Sequence, residues 1–245
     1  MARFYLPPEA WNGPAWELDG DEARHALRVM RLRAGDSCTV FDGLGRAAEA
    51  TIVSTEGSSL LTLEPSTFLP QSPAIAKITL CQSIPKGGNM DLIVRKAVEM
   101  GVNRIIPLVT ERTIVRLAPK EAEAKAQKWR RTALEACKQC GQNTLPAVET
   151  PLPFREFIAA FKGPGVNLHA ALTPEARSLR SVLEEARADG VREASLLVGP
   201  EGDFTPEENA AAKAHSFVPV SFGPIVLRVE TAAFLGISAI RYALD

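Results

Sequence analysis

Cysteine is scarce in this sequence, with Cys38, Cys81, Cys137 and Cys140 the only four in 245 residues. Four thiols make no disulfide framework for a chain of this length, so a reducing, cytoplasmic setting is expected. Histidine is scarcer still: His25, His169 and His215 lie far apart. The Cys137-Lys138-Gln139-Cys140 spacing is half of a zinc site, but it falls in a helical pattern with no histidine nearby. Ordinary helix thiols, and no metal, are expected there. No Ser-His-Asp signature stands out, and no carboxylate pair suited to glycoside chemistry. No stretch is long and apolar enough to span a bilayer. The opening MARFYLPPEAW has no basic segment followed by an apolar run, so no leader and no membrane partner are expected. An excess of either charge is also missing. The net charge is −1, so any site for a polyanion must be a local patch. There is neither a lysine-bearing phosphate loop nor a G-x-G-x-x-G fingerprint, which argues against a nucleoside triphosphate. No internal repeat and no low-complexity tract is present.

What remains is the composition of a soluble globular protein, 46% apolar and 23% charged, long enough for two modest domains or one large one. Residues 1–70 read as β-rich. Asp21 is placed to cap a helix over Glu22 to Leu32. "SCTVFDG", "RAAEATIVSTEG" and "SLLTLEP" read as strands, with Gly57-Ser58-Ser59 between the last two, and this spacing suggests a small barrel. "PSTFLPQSPA", with three prolines, reads as a linker.

From Ile75 the rhythm becomes strand, helix, strand. "AKITLCQSI", "VNRIIPLVT", Asn167 to Leu172, "EASLLVG" and "FVPVSFG" are expected strands. "NMDLIVRKAVEMG" is an expected helix, capped by Asn89 or Asp91, and residues 120–140 another. "SLRSVLEEARADG", "TPEENAAAKAHS" (Thr205 as cap, Pro206 at its first position) and Thr231 to Leu244 complete the helices. Such alternation implies a mainly parallel sheet with helices on both faces, whose ligands sit at the carboxyl ends of the strands.

Four stretches are candidates for chemistry. Gly199-Pro200-Glu201-Gly202 closes a strand at such an end. Its glycines permit close backbone approach, and Glu201 could face a cationic or hydroxyl-bearing group; the plain reading is a tight strand-to-helix turn. "SFGPIVLRVETAAFLGISAI" carries Arg228, Glu230 and Thr231 at the head of a small-sided apolar helix, with Thr231 an expected N-cap. Arg24, Arg28 and Arg31 fall at i, i+4 and i+7, as phosphate contacts or as a solvated face paired with Asp21, Glu22 and Asp36. Lys86-Gly87-Gly88 opens a helix, a place for an anion in principle or an ordinary junction.

In their order, "RHALRVMRLRAGD", "VFDGLGRAAEA", "KGGNMDLIVRKAVEMGV", "KWRRTALEACKQCG", "LLVGPEGDFTPEE" and "LRVETAA" resemble one family over nearly the whole chain. It is the uridine-N3 methyltransferases of small-subunit ribosomal RNA, the RsmE-like enzymes of the SPOUT class. The last two motifs are the most specific. The resemblance implies an α/β SPOUT fold with a C-terminal deep trefoil knot in residues 71–245, preceded by a small PUA-like β-barrel RNA-binding domain in residues 1–70. It implies S-adenosylmethionine as cofactor, held by loops at Leu172, at Gly199, Pro200, Glu201 and Gly202, and at Val220, Ser221, Phe222, Gly223 and Leu227, with Thr231 beside them. It further implies a homodimer with ribosomal RNA, or an assembled small subunit, as partner. Arg228 would then stabilise charge on the target base, with Glu230 or Glu201 orienting the arginine or taking the proton. Arg24, Arg28, Arg31 and Lys86 would hold phosphates. Three departures from the family pattern stand out: Asp203 where the family has glycine, Gln142 where it has arginine, and Pro224-Ile225-Val226 where it carries one arginine more. They leave open a non-catalytic RNA-binding or ribosome-assembly factor on the same fold. A methyltransferase acting on another RNA also stays open.

Overall fold

The computed structural model describes residues 2–13, 15–57, 59–70 and 75–245. Packing divides the chain into two units, Met1–Pro73 with Leu134–Leu145, and Ala74–Ala133 with Pro146–Asp245.

The first unit holds strands β1 (Arg3–Tyr5), β2 (Trp16–Asp19), β3 (Ser37–Phe41), β4 (Ala47–Glu56) and β5 (Leu60–Phe68), with the short helix α1 (Gly20–Arg24) after β2. The sheet order is β1-β3-β4-β5-β2, antiparallel apart from β1 on β3. Register shifts in β4 at Glu49/Ala50 and Ile52/Ser54 bend the sheet about a core of Phe4, Trp16, Val40, Ile52, Leu61 and Leu63. β5 runs on through Pro65 to Phe68, so the first residues of the expected linker are strand instead. Residues Gln71–Ala74 of that linker and the turn residue Ser58 lie outside the described residues.

The helix expected over Glu22 to Leu32 is also different. α1 starts at Gly20, with Asp19 before it, and Asp21 is ion-paired to Arg24 rather than capping. At His25–Val29 the chain widens into a π turn, with Met30 N donating to His25 O at 3.0 Å. Arg31 then takes φ +57° and ends the run. The extra residue per turn shifts the helical phase. Arg24, Arg28 and Arg31 therefore do not share one regular helical face.

The second unit is built on β6 (Lys77–Ser83), β7 (Arg104–Val109), β8 (Ala147–Val148), β9 (Leu152–Pro153), β10 (Val166–Ala170), β11 (Arg177–Ser178), β12 (Glu193–Val198) and β13 (Val218–Ser221). Every pairing is parallel, in the order β11-β13-β10-β12-β6-β7-β8, with β9 also on β7. The helices are α2 (Asn89–Glu99), α3 (Pro119–Cys140), α4 (Phe154–Ala160), α5 (Leu179–Ala188), α6 (Pro206–Ala214) and α7 (Val229–Leu244). α2, α5 and α7 pack together, with α7 lying on β6 and β12. α4 and α6 pack together over a core of Ile106, Leu108, Phe154, Phe157, Leu197, Phe204 and Phe217. Continuous buried runs in the central strands, Leu80 to Ser83 and Ala194 to Val198, mostly apolar but including Gln82, Ser83 and Ser195, are what a sheet covered on both faces demands.

Two expected caps are replaced. α2 begins after Gly88 without a side-chain cap, and Asp91 instead accepts from Trp129 Nε1 at 3.0 Å and pairs with Lys128. α7 begins at Val229, so Arg228 takes the N-cap position and Thr231 lies inside the first turn. The cap of α6 forms as read: Thr205 Oγ1 accepts from Glu208 N, and Glu208 Oε2 accepts from Thr205 N at 3.1 Å.

Candidate active site

Four strands, β6, β10, β12 and β13, end together at their carboxyl edge. Between those ends and the first turn of α7 lies a cavity of about 540 Å³. That volume is ordinary for a small-molecule site. Lys86 and Asn89 line it after β6, Ala170 to Leu172 after β10, Gly199 to Glu201 and Asp203 after β12, and Val220 to Gly223 after β13. Ile225 to Glu230, with Ala232, complete it.

The Gly199–Gly202 turn is rigid for local reasons. Asp203 N donates to Pro200 O at 3.0 Å, and Asp203 takes φ +59°. Its Oδ1 accepts from Phe204 N at 2.8 Å, a bond within the turn that helps an aspartate hold a conformation usually left to glycine. An aspartate is therefore accommodated at this place in the turn. A Cβ built on Gly199 would come within 3.0 Å of the Phe204 ring, so the turn rests directly on that buried ring. Phe204 is itself wedged between Phe154 and His169, at 5.6 and 4.8 Å between centroids. Burial pushes the His169 pKa down to about 4 and keeps the imidazole neutral.

Glu201 is exposed, and its Oε1 accepts from Lys86 N at 3.1 Å, so the β12 loop is tied to the β6 loop. Arg228 and Glu230 sit at the head of α7, and both line the cavity. Leu172, Ile225 and Val226 are large apolar side chains left 64%, 74% and 71% exposed around it.

Of the residues expected from sequence, the cavity brings together Leu172, Gly199, Pro200, Glu201, Val220, Ser221, Phe222, Gly223, Leu227, Arg228 and Glu230, and also Lys86. Gly202 and Thr231 are not in its lining: Gly202 lies behind the turn, against the Arg112 side chain, and Thr231 is exposed on α7. Arg24 and Arg28 line a different depression, within the first unit, together with the acids Asp21, Glu22 and Glu135 and with Lys138. Lys138 pairs there with both Glu22 and Glu135. Arg31 is exposed and outside that lining. Cys137 is buried, which pushes its thiol up to about 12, and Cys140 is exposed. Sequence reading named Asn89 only as a helix cap and Asp203 only as a departure from the family pattern, and gave Phe204 and Arg112 no part in the site. Arg112 had a usable signal, since it follows β7 at the same carboxyl edge as the other site loops.

The parallel sheet, the glycine turn and the arginine at the head of the last helix all fall in the span that an RNA methyltransferase family model matches, and that match gives the class: an RNA methyltransferase. The RNA methyltransferase domain model matches residues 71–241, and the RNA methyltransferase PUA domain model matches residues 18–64. The ribosomal RNA small subunit methyltransferase E of Synechocystis is 30% identical over 99% of this chain and 78% of its own. That of Bacillus subtilis is 29% identical over 100% of this chain and 98% of its own. The Neisseria gonorrhoeae protein of the same name, solved bound to S-adenosyl methionine, is 31% identical and superposes with a TM-score of 0.86 over 99% of this chain and 97% of its own. The chain belongs to the ribosomal RNA small subunit methyltransferase E family.

Proposed function

We propose that this protein transfers a methyl group from S-adenosylmethionine to N3 of a uridine in small-subunit ribosomal RNA. The observation that carries the reading is the cavity itself, where apolar side chains, a hydrogen-bonded backbone turn, Arg228 and Glu230 meet at the carboxyl ends of four parallel strands. Bound there, S-adenosylmethionine would supply a methyl group carried on a positively charged sulfur. The residues present suit it. Backbone of Gly199 to Glu201 and of Val220 to Leu227 offers donors and acceptors for an adenine edge, and the exposed Leu172, Ile225 and Val226 would lose water against a bound ligand. Much of the rate then comes from alignment.

The uracil N3 proton must leave, and the negative charge that results spreads onto the carbonyl oxygens, where Arg228 stabilises it. We assign the proton to Glu230, in the first turn of α7 two residues beyond Arg228. Glu201 already has one oxygen on the Lys86 amide and serves to hold the loop. Residues 1–70 would act as the RNA-binding domain and 71–245 as the methyltransferase domain, with Arg24, Arg28, Arg31 and Lys86 on phosphates. The trefoil knot of the family is supported by the return of α7 onto β6, β12 and α2. A homodimer is supported by the apolar side chains left exposed in the second unit, among them Leu235 and Tyr242 on α7. A cytoplasmic location fits the free thiols.

The test is methyl transfer from labelled donor to whole small subunits, naked small-subunit RNA and transfer RNA, followed by nucleoside analysis. Label in 3-methyluridine from one of the first two substrates is expected, and sedimentation of the same preparation should give twice the chain mass. Arg228→Ala should keep donor binding while turnover falls about a hundredfold or more. Wild-type protein that binds no donor in calorimetry, or label in transfer RNA alone, would overturn the reading.

A further inference from the structure

Arg112 lies outside the cavity lining, yet its contacts converge on the turn that builds the cavity. Its Nη1 donates to Gly202 O at 2.7 Å and to Phe204 O at 3.3 Å. These two carbonyls flank Asp203, the left-handed residue. The aliphatic stem of Arg112 lies against Gly202, where a Cβ would come within 3.3 Å of its Cδ. Gly202 is absent from the left-handed residues, so what a side chain there would meet is the Arg112 stem, at a tight contact distance, and not a backbone constraint.

The arginine is itself presented from a locked turn. Thr110 and Thr113 are both buried. Thr110 N donates to Thr113 Oγ1 at 3.0 Å, the two hydroxyls lie 2.8 Å apart, and Thr113 N returns to Thr110 O at 3.2 Å. Glu111 N donates to Glu208 Oε1 at 3.0 Å, while the other oxygen of Glu208 closes the cap of α6. The β7 loop is therefore pinned at both ends of the segment it grips: to the start of α6 through Glu208, and to the glycine turn through Arg112.

We infer that Arg112 is a positioning residue for the cofactor site, a clamp that holds Asp203 in its left-handed conformation and so keeps the Gly199–Glu201 backbone facing the cavity. This inference rests on the donor-binding role proposed above. A left-handed aspartate is disfavoured against an ordinary conformation. Two charge-assisted bonds on its flanking carbonyls are of the size needed to offset that. Without them the turn has a cheap route to relax, and relaxation moves the backbone a ligand must meet.

The test uses the full chain with Arg112→Met, which keeps most of the stem and removes the donors, and Arg112→Lys, which returns one charged donor. Both protein bonds come from the single atom Nη1, so lysine should restore much of the effect. Two readouts are needed: hydrogen exchange at the Asp203 and Phe204 amides in ligand-free protein, and calorimetric affinity for S-adenosylhomocysteine. Arg112→Met should speed exchange and weaken affinity, each by about tenfold, with the lysine variant within about threefold of wild type. Exchange and affinity both unchanged in Arg112→Met would overturn the clamp. So would equal losses in the two variants that follow their melting temperatures, because that is the mark of a merely structural role. If wild-type protein fails to bind the probe, the proposed function falls, and exchange in the ligand-free variants still decides the clamp.

Discussion

His169 shows how far one residue's chemistry follows from its place. It stands in β10, between β12 and β13, with its ring on Phe204 and neither nitrogen bonded among the described residues. Burial holds its folded pKa near 4, below the roughly 6.5 of an unfolded chain. The unfolded state therefore takes up the proton first as pH falls. The contribution of the neutral ring is fully present above pH 6.5 or so, and is lost progressively as pH drops toward 4. Stability should fall by about 3 kcal/mol over that window from this group alone. Urea titrations of wild type and His169→Leu at several pH values isolate it from the carboxylates, and parallel pH curves for the two proteins would refute the assignment. None of this was legible in the sequence, where the three histidines had unremarkable neighbours. Burial and the Phe204 contact come from strands and a ring far along the chain, beyond the reach of any local motif. The placement of Gly199, Glu201 and Arg228 around one cavity, by contrast, was legible, because short motifs at strand and helix ends carry their own geometry, while their roles stay proposals.

At the scale of elements, legibility followed periodicity and local chemistry. α6 was read with its cap and first residue because Thr205, Pro206 and Glu208 are all local signals. α4 and the two-residue strands β8, β9 and β11 were missed, since such short pieces show no period of their own and exist through tertiary pairing. Asp91 and Thr231 misled for a related reason. Each has the right side chain for a cap, but Asp91 is taken by Trp129 and Lys128, and α7 starts earlier, at Val229. The end of α7 carries a device that sequence alone does not announce. Arg241 donates to Gly101 O at 2.6 Å, Ala76 O at 2.7 Å and Met100 O at 3.3 Å. Asp245 Oδ1 accepts from Ala76 N at 2.7 Å and from Arg241 Nη1 at 3.2 Å. One side chain thus ties the last helix to the start of β6 and the end of α2. Arg241→Met strands those carbonyls and should cost about 2–3 kcal/mol in urea unfolding. Loss of the α6 cap by Thr205→Ala sets a scale of about 1 kcal/mol. An Arg241 variant no less stable than the cap variant would show that the tie is dispensable.

For the molecule as a whole, a change of rhythm near Ile75 made the two-part organisation legible, but not the membership of Leu134–Leu145 in the first unit. α3 is a continuous helix, and its pattern has no break where its packing partners change. The overall charge of −1 leaves RNA binding to local cations, and the first unit shows how local that must be. Arg24 is ion-paired with Asp21, and the depression that holds Arg24 and Arg28 also holds three acids. Arg31 stands exposed at its left-handed position just beyond. Full counterion release from three arginines would change the logarithmic salt slope of binding to unpaired RNA by about 2. Acids already neighbouring two of them reduce this, so Arg24→Gln, Arg28→Gln and Arg31→Gln together should flatten the slope by about 1 and weaken binding most at low salt. Arg180→Gln, an exposed cation on α5, serves as the control and should leave the slope nearly unchanged. Filter binding of small-subunit RNA over a range of salt concentrations measures both. If the triple variant kept the wild-type slope, the arginines would be a solvated face balanced by their own acids, and the RNA contacts would have to be sought on other cations, Lys86 at the cavity first among them.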